Sequence, residues 1–310
     1  MKPALICVLI AVYGYAQPEK VVFDTDCAYF NDDGAALVML LNRPKQVEIQ
    51  GVTLVPGNFW PAVGIGYMSH ILNLMHRTDV TFYFGAQAPL VHTRAMAKKE
   101  TGIEYLGAFS TEPRPYQGPV KALDFLIQAI ESSPGRITIL ELGPMTNLAI
   151  VLRLRPDLAS KIGRLVFMGG AMHRQEFNFW FDPEAAQIVL RSAIPKKVMF
   201  GLEICERAPI DKAHSDQITA KTPIGDLYRE DRKKNPSPYV WDALAAAYLI
   251  DTGFVTKRET AYLDVDSTFG KTYGAVIPLD RSLAPDATPV ERMTDLDFER
   301  FFALYKSLIH

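Results

Sequence analysis

Val21-Val22-Phe23-Asp24-Thr25-Asp26-Cys27-Ala28-Tyr29-Phe30-Asn31-Asp32-Asp33-Gly34-Ala35-Ala36-Leu37 is the stretch on which the reading of this chain turns. Its apolar, β-branched opening has the character of a buried strand, and Gly34-Ala-Ala-Leu-Val-Met-Leu-Leu41 that of a helix beginning. The loop between them carries Asp24, Asp26, Asp32 and Asp33. Crowding like charges at the end of a buried strand costs free energy unless a cation neutralises them. The ligands on offer are oxygens, which suits a hard divalent ion such as Ca2+ or Mg2+. An acidic turn can also simply be solvated. Here the DxD follows the strand directly and the Asp-Asp pair opens the helix, which favours the metal.

Outward from this stretch, strand-like and helix-like segments alternate without a long linker. Apolar runs at 20–24, 49–55, 80–84, 137–142, 164–168 and 197–200 read as strands, with amphipathic stretches such as 120–132 and 146–154 between them. The pattern predicts an α/β fold: an open, mostly parallel, Rossmann-like sheet with helices on both faces. Residues 262–266 and 273–277 look like a hairpin, 295–308 like a closing helix, and the polar, Pro-punctuated segment 210–238 like helix and mobile loop. Polar clusters recur where strands end, at 24–33, Pro56-Gly57-Asn58, Leu142-Gly143-Pro144 and Gly169-Gly170. Ligands of open α/β sheets bind beyond the carboxyl ends of the strands, so these loops are expected to build one site together.

With 310 residues, 48% of them hydrophobic, the chain can bury a large core. A formal charge of −2 gives no basic footprint, which argues against a nucleic-acid polymer as partner. Lys2, the apolar run to Tyr15, the small-x-small Gly14-Tyr15-Ala16 and the polar residues after it have the layout of a signal peptide cleaved after Ala16. The run is shorter than the roughly 20 residues a spanning helix needs, so no stable membrane anchor is expected. The expectation is therefore a signal peptide over 1–16, a single domain over 17–310, and a secreted or periplasmic location. Cys27 and Cys205 then remain, either paired or as free thiols.

The clusters also match a family in order. Asp24-Thr-Asp-x5-Asp-Asp-Gly-Ala-Ala-Leu37, Gly51-Val-Thr-Leu-Val-Pro-Gly-Asn58, Leu142-Gly-Pro-Met-Thr-Asn-Leu-Ala149, Val166-Phe-Met-Gly-Gly-Ala171, Glu176-Phe-Asn-Phe-Trp-Phe-Asp-Pro-Glu-Ala-Ala186 and Trp241-Asp-Ala-Leu-Ala245 follow one another. So does the tail Leu263-Asp-Val-Asp266 with Gly270-Lys-Thr-Tyr-Gly274. Together they resemble the inosine–uridine-preferring nucleoside hydrolases across essentially the whole mature chain. The resemblance implies a nucleoside hydrolase-like sheet, a homodimer or homotetramer, and hydrolysis of a ribonucleoside to ribose and free base. It also implies one bound Ca2+, with Asp26, Asp33 and Asp242 as side-chain ligands and Leu142 giving a backbone carbonyl. Asp26 would be the base that takes the proton of a metal-activated water. Ribose would be recognised by Asp32, Asn58, Glu176 and Asn178, whose carboxylates and carboxamides match hydroxyls that both donate and accept. Taken alone, Asn58 after Gly57 is a turn residue, and Glu176 and Asn178 belong to a solvated loop, although their aromatic neighbours argue against full exposure. Asp182-Pro183-Glu184 reads as a helix start: Asp as N-cap, Pro at the first position, Glu in the first turn.

The pattern is broken at three places. Trp241 precedes Asp242 where relatives of inosine–uridine preference carry a histidine that helps the base leave; an indole supplies no such proton, and it serves either as a stacking wall or as core packing. Only Met172-His173-Arg174-Gln175 separates Ala171 from Glu176, so the segment that in relatives brings an asparagine to the ribose 5′ end is short, and His173 and Arg174 face either a 5′ substituent or solvent. The loop reads Cys27-Ala28-Tyr29-Phe30-Asn31 where a glycine is usual, which leaves the backbone less free to wrap a metal. His92, after Gly85-Ala-Gln-Ala-Pro-Leu90, is a candidate substrate contact, or a surface histidine. An aspartyl-phosphate phosphatase would also place DxD after its first strand, but the later motifs do not fit one. Two further alternatives are a nucleoside- or sugar-binding homologue that has lost turnover, and a hydrolase of a modified nucleoside or other N-glycoside.

Overall fold

Alternate side chains along the central strands point into two different apolar clusters, and that alternation organises the molecule. A computed structural model describes residues 17–27, 30–101, 107–112 and 116–310. The expected signal peptide, 1–16, lies outside the described residues. The strands are β1 (Glu19–Thr25), β2 (Val47–Leu54), β3 (Phe82–Phe84), β4 (Ile137–Glu141), β5 (Arg164–Met168), β6 (Lys197–Phe200), β7 (Val255–Ala261), β8 (Leu263–Val265), β9 (Val276–Pro278) and β10 (Val290–Leu296). The main sheet runs β3-β2-β1-β4-β5-β6-β10-β7. All its pairings are parallel except β10 with β7, and β8 and β9 form a separate antiparallel hairpin.

Val21, Phe23, Leu140, Val166, Met168, Val198 and Phe200 pack on one face, with the helices Ala35–Leu41, Trp241–Ile250 and Phe298–Leu308. Val22, Ile137, Ile139, Leu165, Phe167 and Met199 pack on the other, with Ala122–Ser132, Thr146–Leu154 and Pro183–Leu190. A parallel strand covered on both faces is apolar at most positions, which is why its interior reads as a near-continuous hydrophobic run. The chain leaves β1 towards β2 and β3 on one side, and later towards β4, β5 and β6 on the other. That reversal opens a crevice beyond the carboxyl ends of β1 and β4.

The mostly parallel sheet with helices on both faces is as the sequence predicts, and so is the hairpin. The antiparallel pair β7–β10 is not. Val255–Ala261 is an edge strand whose interior, Thr256-Lys-Arg-Glu-Thr260, is exposed, so it lacks the apolar signature on which strand recognition depends. The expected closing helix starts later than 295: Asp295 and Leu296 belong to β10, and Asp297 caps the helix by accepting the Arg300 N–H at 3.1 Å. The segment 210–238 holds the helices Lys212–Ser215 and Pro223–Lys234. Cys27 and Cys205 are buried free thiols. No described helix is long and apolar enough to cross a membrane.

Lys197 opens β6 with its side chain inside the protein. Burial pushes its ammonium down to about 7, while its Nζ donates to the carbonyls of Leu190 (2.6 Å), Ser192 (2.7 Å) and Thr288 (3.2 Å). Three donors meet three acceptors, so removing the amine strands buried carbonyls. Lys197→Met is expected to lower the free energy of unfolding by about 2 kcal/mol, read from urea denaturation.

Candidate active site

Asp24 and Asp26 sit at the end of β1 and are fully buried. Asp24 Oδ2 accepts the Thr53 hydroxyl of β2 at 2.5 Å and the Asn147 amide at 2.8 Å. Across the ladder Asp24 lies in register with Glu141 of β4, also fully buried. Neither Glu141 oxygen, nor Asp24 Oδ1, has another hydrogen-bond partner among the described residues. Burial, opposed by the Thr53 and Asn147 bonds, pushes Asp24 up to about 7; burial and the Asp24 charge push Glu141 well above its ordinary value. Two neighbouring buried carboxyls do not both ionise.

Asp26 points at the β2 loop. Its Oδ2 accepts the Asn58 backbone N–H at 2.6 Å and its Oδ1 the Asn58 side-chain amide at 3.2 Å. Burial first, and the Asp33 charge second, raise its pKa well above the usual carboxylate range. Gly57 permits this approach, because a Cβ there would lie 2.1 Å from Asp26 Oδ2. The expected stiffness of a loop without glycine is met by Cys27 itself, which adopts φ +59°, a left-handed conformation costing a side-chain-bearing residue ~1 kcal/mol. Its N–H donates to Thr25 Oγ1 at 3.0 Å, and the Thr25 hydroxyl donates to Asp33.

The chain re-enters through a π-type turn, Phe30–Gly34, broken at Asp32 (φ −120°, ψ −115°). In a regular helix, consecutive side chains diverge; the break lets Asp32 and Asp33 reach the same place. Asp242 joins them from the first turn of Trp241–Ile250, its N–H 3.4 Å from Asp32 Oδ1. Asp32, Asp33 and Asp242 each bring an oxygen within 4.8 Å of the others. Burial and the Asp33 charge push Asp32 up to about 7; burial, then Asp32, Asp33 and Asp26, raise Asp242 well above its usual range. This donor set fits a hard divalent cation, whose charge would relieve the repulsion. The ligands expected from the sequence were Asp26, Asp33, Asp242 and the Leu142 carbonyl. The structure gathers Asp32 with Asp33 and Asp242 most closely, turns Asp26 to Asn58, and gives the Leu142 carbonyl the Asn178 amide at 3.0 Å.

Facing these acids is the short helix Phe177–Phe181. Glu176 is its N-cap, accepting the N–H groups of Asn178 (2.9 Å) and Phe179 (3.2 Å), and also that of Gly170 (2.6 Å). Asn178 Nδ2 donates to the carbonyls of Leu142 and, at 3.1 Å, Met168. A cavity of about 400 Å³ lies between the two groups. Asp32, Asn58, Glu176, Asn178, Trp241 and Asp242 line it, with Leu142, Met168, Gln175, Phe177, Trp180 and Leu202.

His92 does not line it. The imidazole is buried among Phe109, Trp180 and Tyr273, with Nδ1 2.9 Å from the Trp180 carbonyl. Neither His173 nor Arg174 lines it, and Arg174 pairs with Glu206 at 2.7 Å on the surface. Sequence reasoning missed Gln175 as a lining residue, and Thr53, Glu141 and Asn147 as supports. Glu141 did leave a signal, a lone acid inside the apolar run Ile137-Thr-Ile-Leu-Glu-Leu142.

A family model described as "Inosine-uridine preferring nucleoside hydrolase" matches residues 21–303. The chain belongs to this family. Among its hydrolase relatives, the pyrimidine-specific ribonucleoside hydrolase RihA of Escherichia coli O9:H4 (strain HS) is 35% identical over 204 residues, 63% of this chain. That match spans 64% of the relative's own length. The purine-preferring ribonucleoside hydrolase from Gardnerella vaginalis superposes with a TM-score of 0.77 at 23% identity, covering 94% of this chain and 98% of that one. The plant nucleoside hydrolase PpNRh1 gives 0.76 at 22%, covering 94% and 99%. At that identity, the likeness to the solved nucleoside hydrolases establishes the fold.

The glycines of this hydrolase-family chain make a paired test of the Asp26–Asn58 contact. Gly57→Ala drives a methyl group into Asp26 and should destabilise the protein by about 1–3 kcal/mol. Gly66→Ala, in the helix Pro61–Leu74 with nothing within 4 Å of the added carbon, should stabilise it by about 0.5–1 kcal/mol. Thermal unfolding of both variants checks the pair.

Proposed function

We propose that this protein is a Ca2+-dependent N-ribohydrolase that splits the N-glycosidic bond of a ribonucleoside to ribose and free base. The observation that carries the proposal is one cavity with a carboxylate cluster and Asn58 on one side and Glu176 and Asn178 opposite. Asp32, Asp33 and Asp242 would hold the cation, with Asp26 beside them. A bound divalent ion would offset their charge and acidify a water.

The residues of the chain account for the rest. Asp26, oriented by both Asn58 bonds, would receive the proton of the attacking water. Water attacks the anomeric carbon as the bond to the base lengthens, giving the sugar oxocarbenium character. Asn58, Glu176 and Asn178 offer donors and acceptors to the sugar hydroxyls, and Trp241 offers an indole face. One named relative is pyrimidine-specific and another purine-preferring, so the proposal is for the bond cleaved and leaves the base open. With the signal peptide expected from residues 1–16, the reaction would take place outside the cytoplasm.

Free-sugar release over a ribonucleoside panel tests this. Wild-type protein should release ribose, and Asp26→Ala should lower kcat by about 10²–10⁴-fold. A chelator should abolish release and Ca2+ restore it. Unchanged turnover in Asp26→Ala would remove it as the base. Loss of the 2′-hydroxyl would leave buried polar groups unpaired, so 2′-deoxynucleosides should react at least about a hundredfold more slowly. Comparable rates for the two sugars would contradict this reading of the wall. A second reading, a nucleoside-binding homologue without turnover, draws on the fact that no imidazole lines the cavity among the described residues. Tight binding with no sugar released would select it.

A further inference from the structure

Behind the wall that carries Gln175 and Trp180 stands a carboxylate with no part in the chemistry above. Glu100 belongs to the helix Arg94–Thr101, and its side chain is 6% exposed. Oε1 accepts the Gln175 amide at 2.7 Å, and Oε2 accepts the Trp180 indole N–H at 2.9 Å. Gln175 and Trp180 both line the cavity; Glu100 does not. The amide nitrogen of Gln175 also donates to the Tyr273 carbonyl at 3.2 Å.

A carboxamide has two N–H donors and one acceptor oxygen, and on its own it can present either end to a ligand. A carboxylate and a carbonyl only accept. With both acceptors on one side, the nitrogen of Gln175 must face Glu100 and Tyr273, and the oxygen is what remains for a molecule in the cavity. The indole is fixed in the same way, by its single N–H. His92 backs this arrangement, with its ring edge-on to Trp180 at 4.8 Å and to Tyr273 at 5.0 Å.

We propose that Glu100 is a positioning residue, which holds the Gln175 oxygen as an acceptor and the Trp180 indole as a wall, and that this oxygen reads the 5′-hydroxyl of the sugar. The proposal rests on the ribonucleoside reading above. A ribonucleoside carries three free hydroxyls, and its vicinal pair suits the carboxylate cluster of Asp32, Asp33 and Asp242. The hydroxyl left over is the one on the exocyclic carbon, and it can donate to an acceptor on the opposite wall. A 5′ substituent that only accepts would find no donor in Gln175.

The test measures kcat/KM by free-sugar release, with Ca2+ present, for a ribonucleoside and its 5′-deoxy analogue. Wild type, Gln175→Leu and Glu100→Gln are compared. Wild type should favour the 5′-hydroxyl by at least about tenfold. Gln175→Leu should bring the preference to within about twofold. Glu100→Gln, which leaves the shape intact and does not touch substrate, should do the same, because its own amide lets Gln175 turn over. The double variant should show no further loss, as expected of residues acting as one unit. A preference ratio is insensitive to a general loss of stability, so a merely structural role would leave it unchanged. A wild-type ratio in Glu100→Gln beside a lost one in Gln175→Leu overturns the role of Glu100. A wild-type ratio in both variants overturns the whole proposal while leaving the ribonucleoside reading in place. No sugar released by wild type from any substrate overturns that reading, and this proposal with it.

Discussion

The structure is organised around mutual repulsion between buried carboxylates at the end of its central strand. Asp24, Asp26, Asp33 and Asp242 are at most 2% exposed, and burial is the largest influence on Asp24, Asp26 and Asp242. Leaving such groups ionised and unpaired would cost several kcal/mol each. Each is therefore supplied with donors or with a reason to hold a proton. Thr53 and Asn147 serve Asp24, Asn58 serves Asp26, and the Thr25 hydroxyl serves Asp33. The start of the helix Trp241–Ile250 adds the positive end of a helix dipole beside Asp32. What these donors leave uncompensated is what a cation would supply.

Other buried acids serve architecture. Asp182 accepts the Leu90 N–H at 3.0 Å, the Thr146 hydroxyl at 2.6 Å and the Ala185 N–H at 3.1 Å. It thereby ties three segments together while capping Pro183–Leu190, and burial pushes it up to about 6. Glu176 combines both roles. Its oxygens hold Gly170, Asn178 and Phe179, yet it also lines the cavity, so any hydroxyl it receives meets a carboxylate already locked in place. Such an acceptor loses little freedom on binding, which is the physical content of preorganisation.

What was readable from the sequence follows from what each segment buries. The interior strands were plain because both faces are covered: 164–168 and 197–200 match β5 and β6 as observed. β7 escaped because an exposed edge carries charge where an interior strand carries Val or Ile. Asp32, Asn58, Glu176, Asn178 and Trp241 were readable as one set only through the family's ordered motifs, since nothing local brings residues so far apart in the chain to one cavity. His92 reads from the sequence as a substrate contact or a surface histidine; its ring turns instead into an aromatic cluster whose geometry no spacing encodes. Gln175 looked like part of a shortened linker, and its place depends on Glu100, a partner far away in sequence.

Trp241 bears on how the base can leave. The protonatable side chains that line the cavity are Asp32, Glu176 and Asp242 among the described residues. Glu176 accepts backbone N–H groups through both oxygens, and Asp32 and Asp242 belong to the carboxylate cluster, while Trp241 itself brings no acid to a ring nitrogen. Trp180 adds an indole whose N–H is turned to Glu100. The wall is thus apolar and polarisable where an acid would be useful. Such a wall lowers the local dielectric and strengthens every charge interaction on the sugar side. In the proposed reaction it shifts the work of bond cleavage from protonating the base to stabilising the positive charge that builds on the ribose, which is where the carboxylates stand.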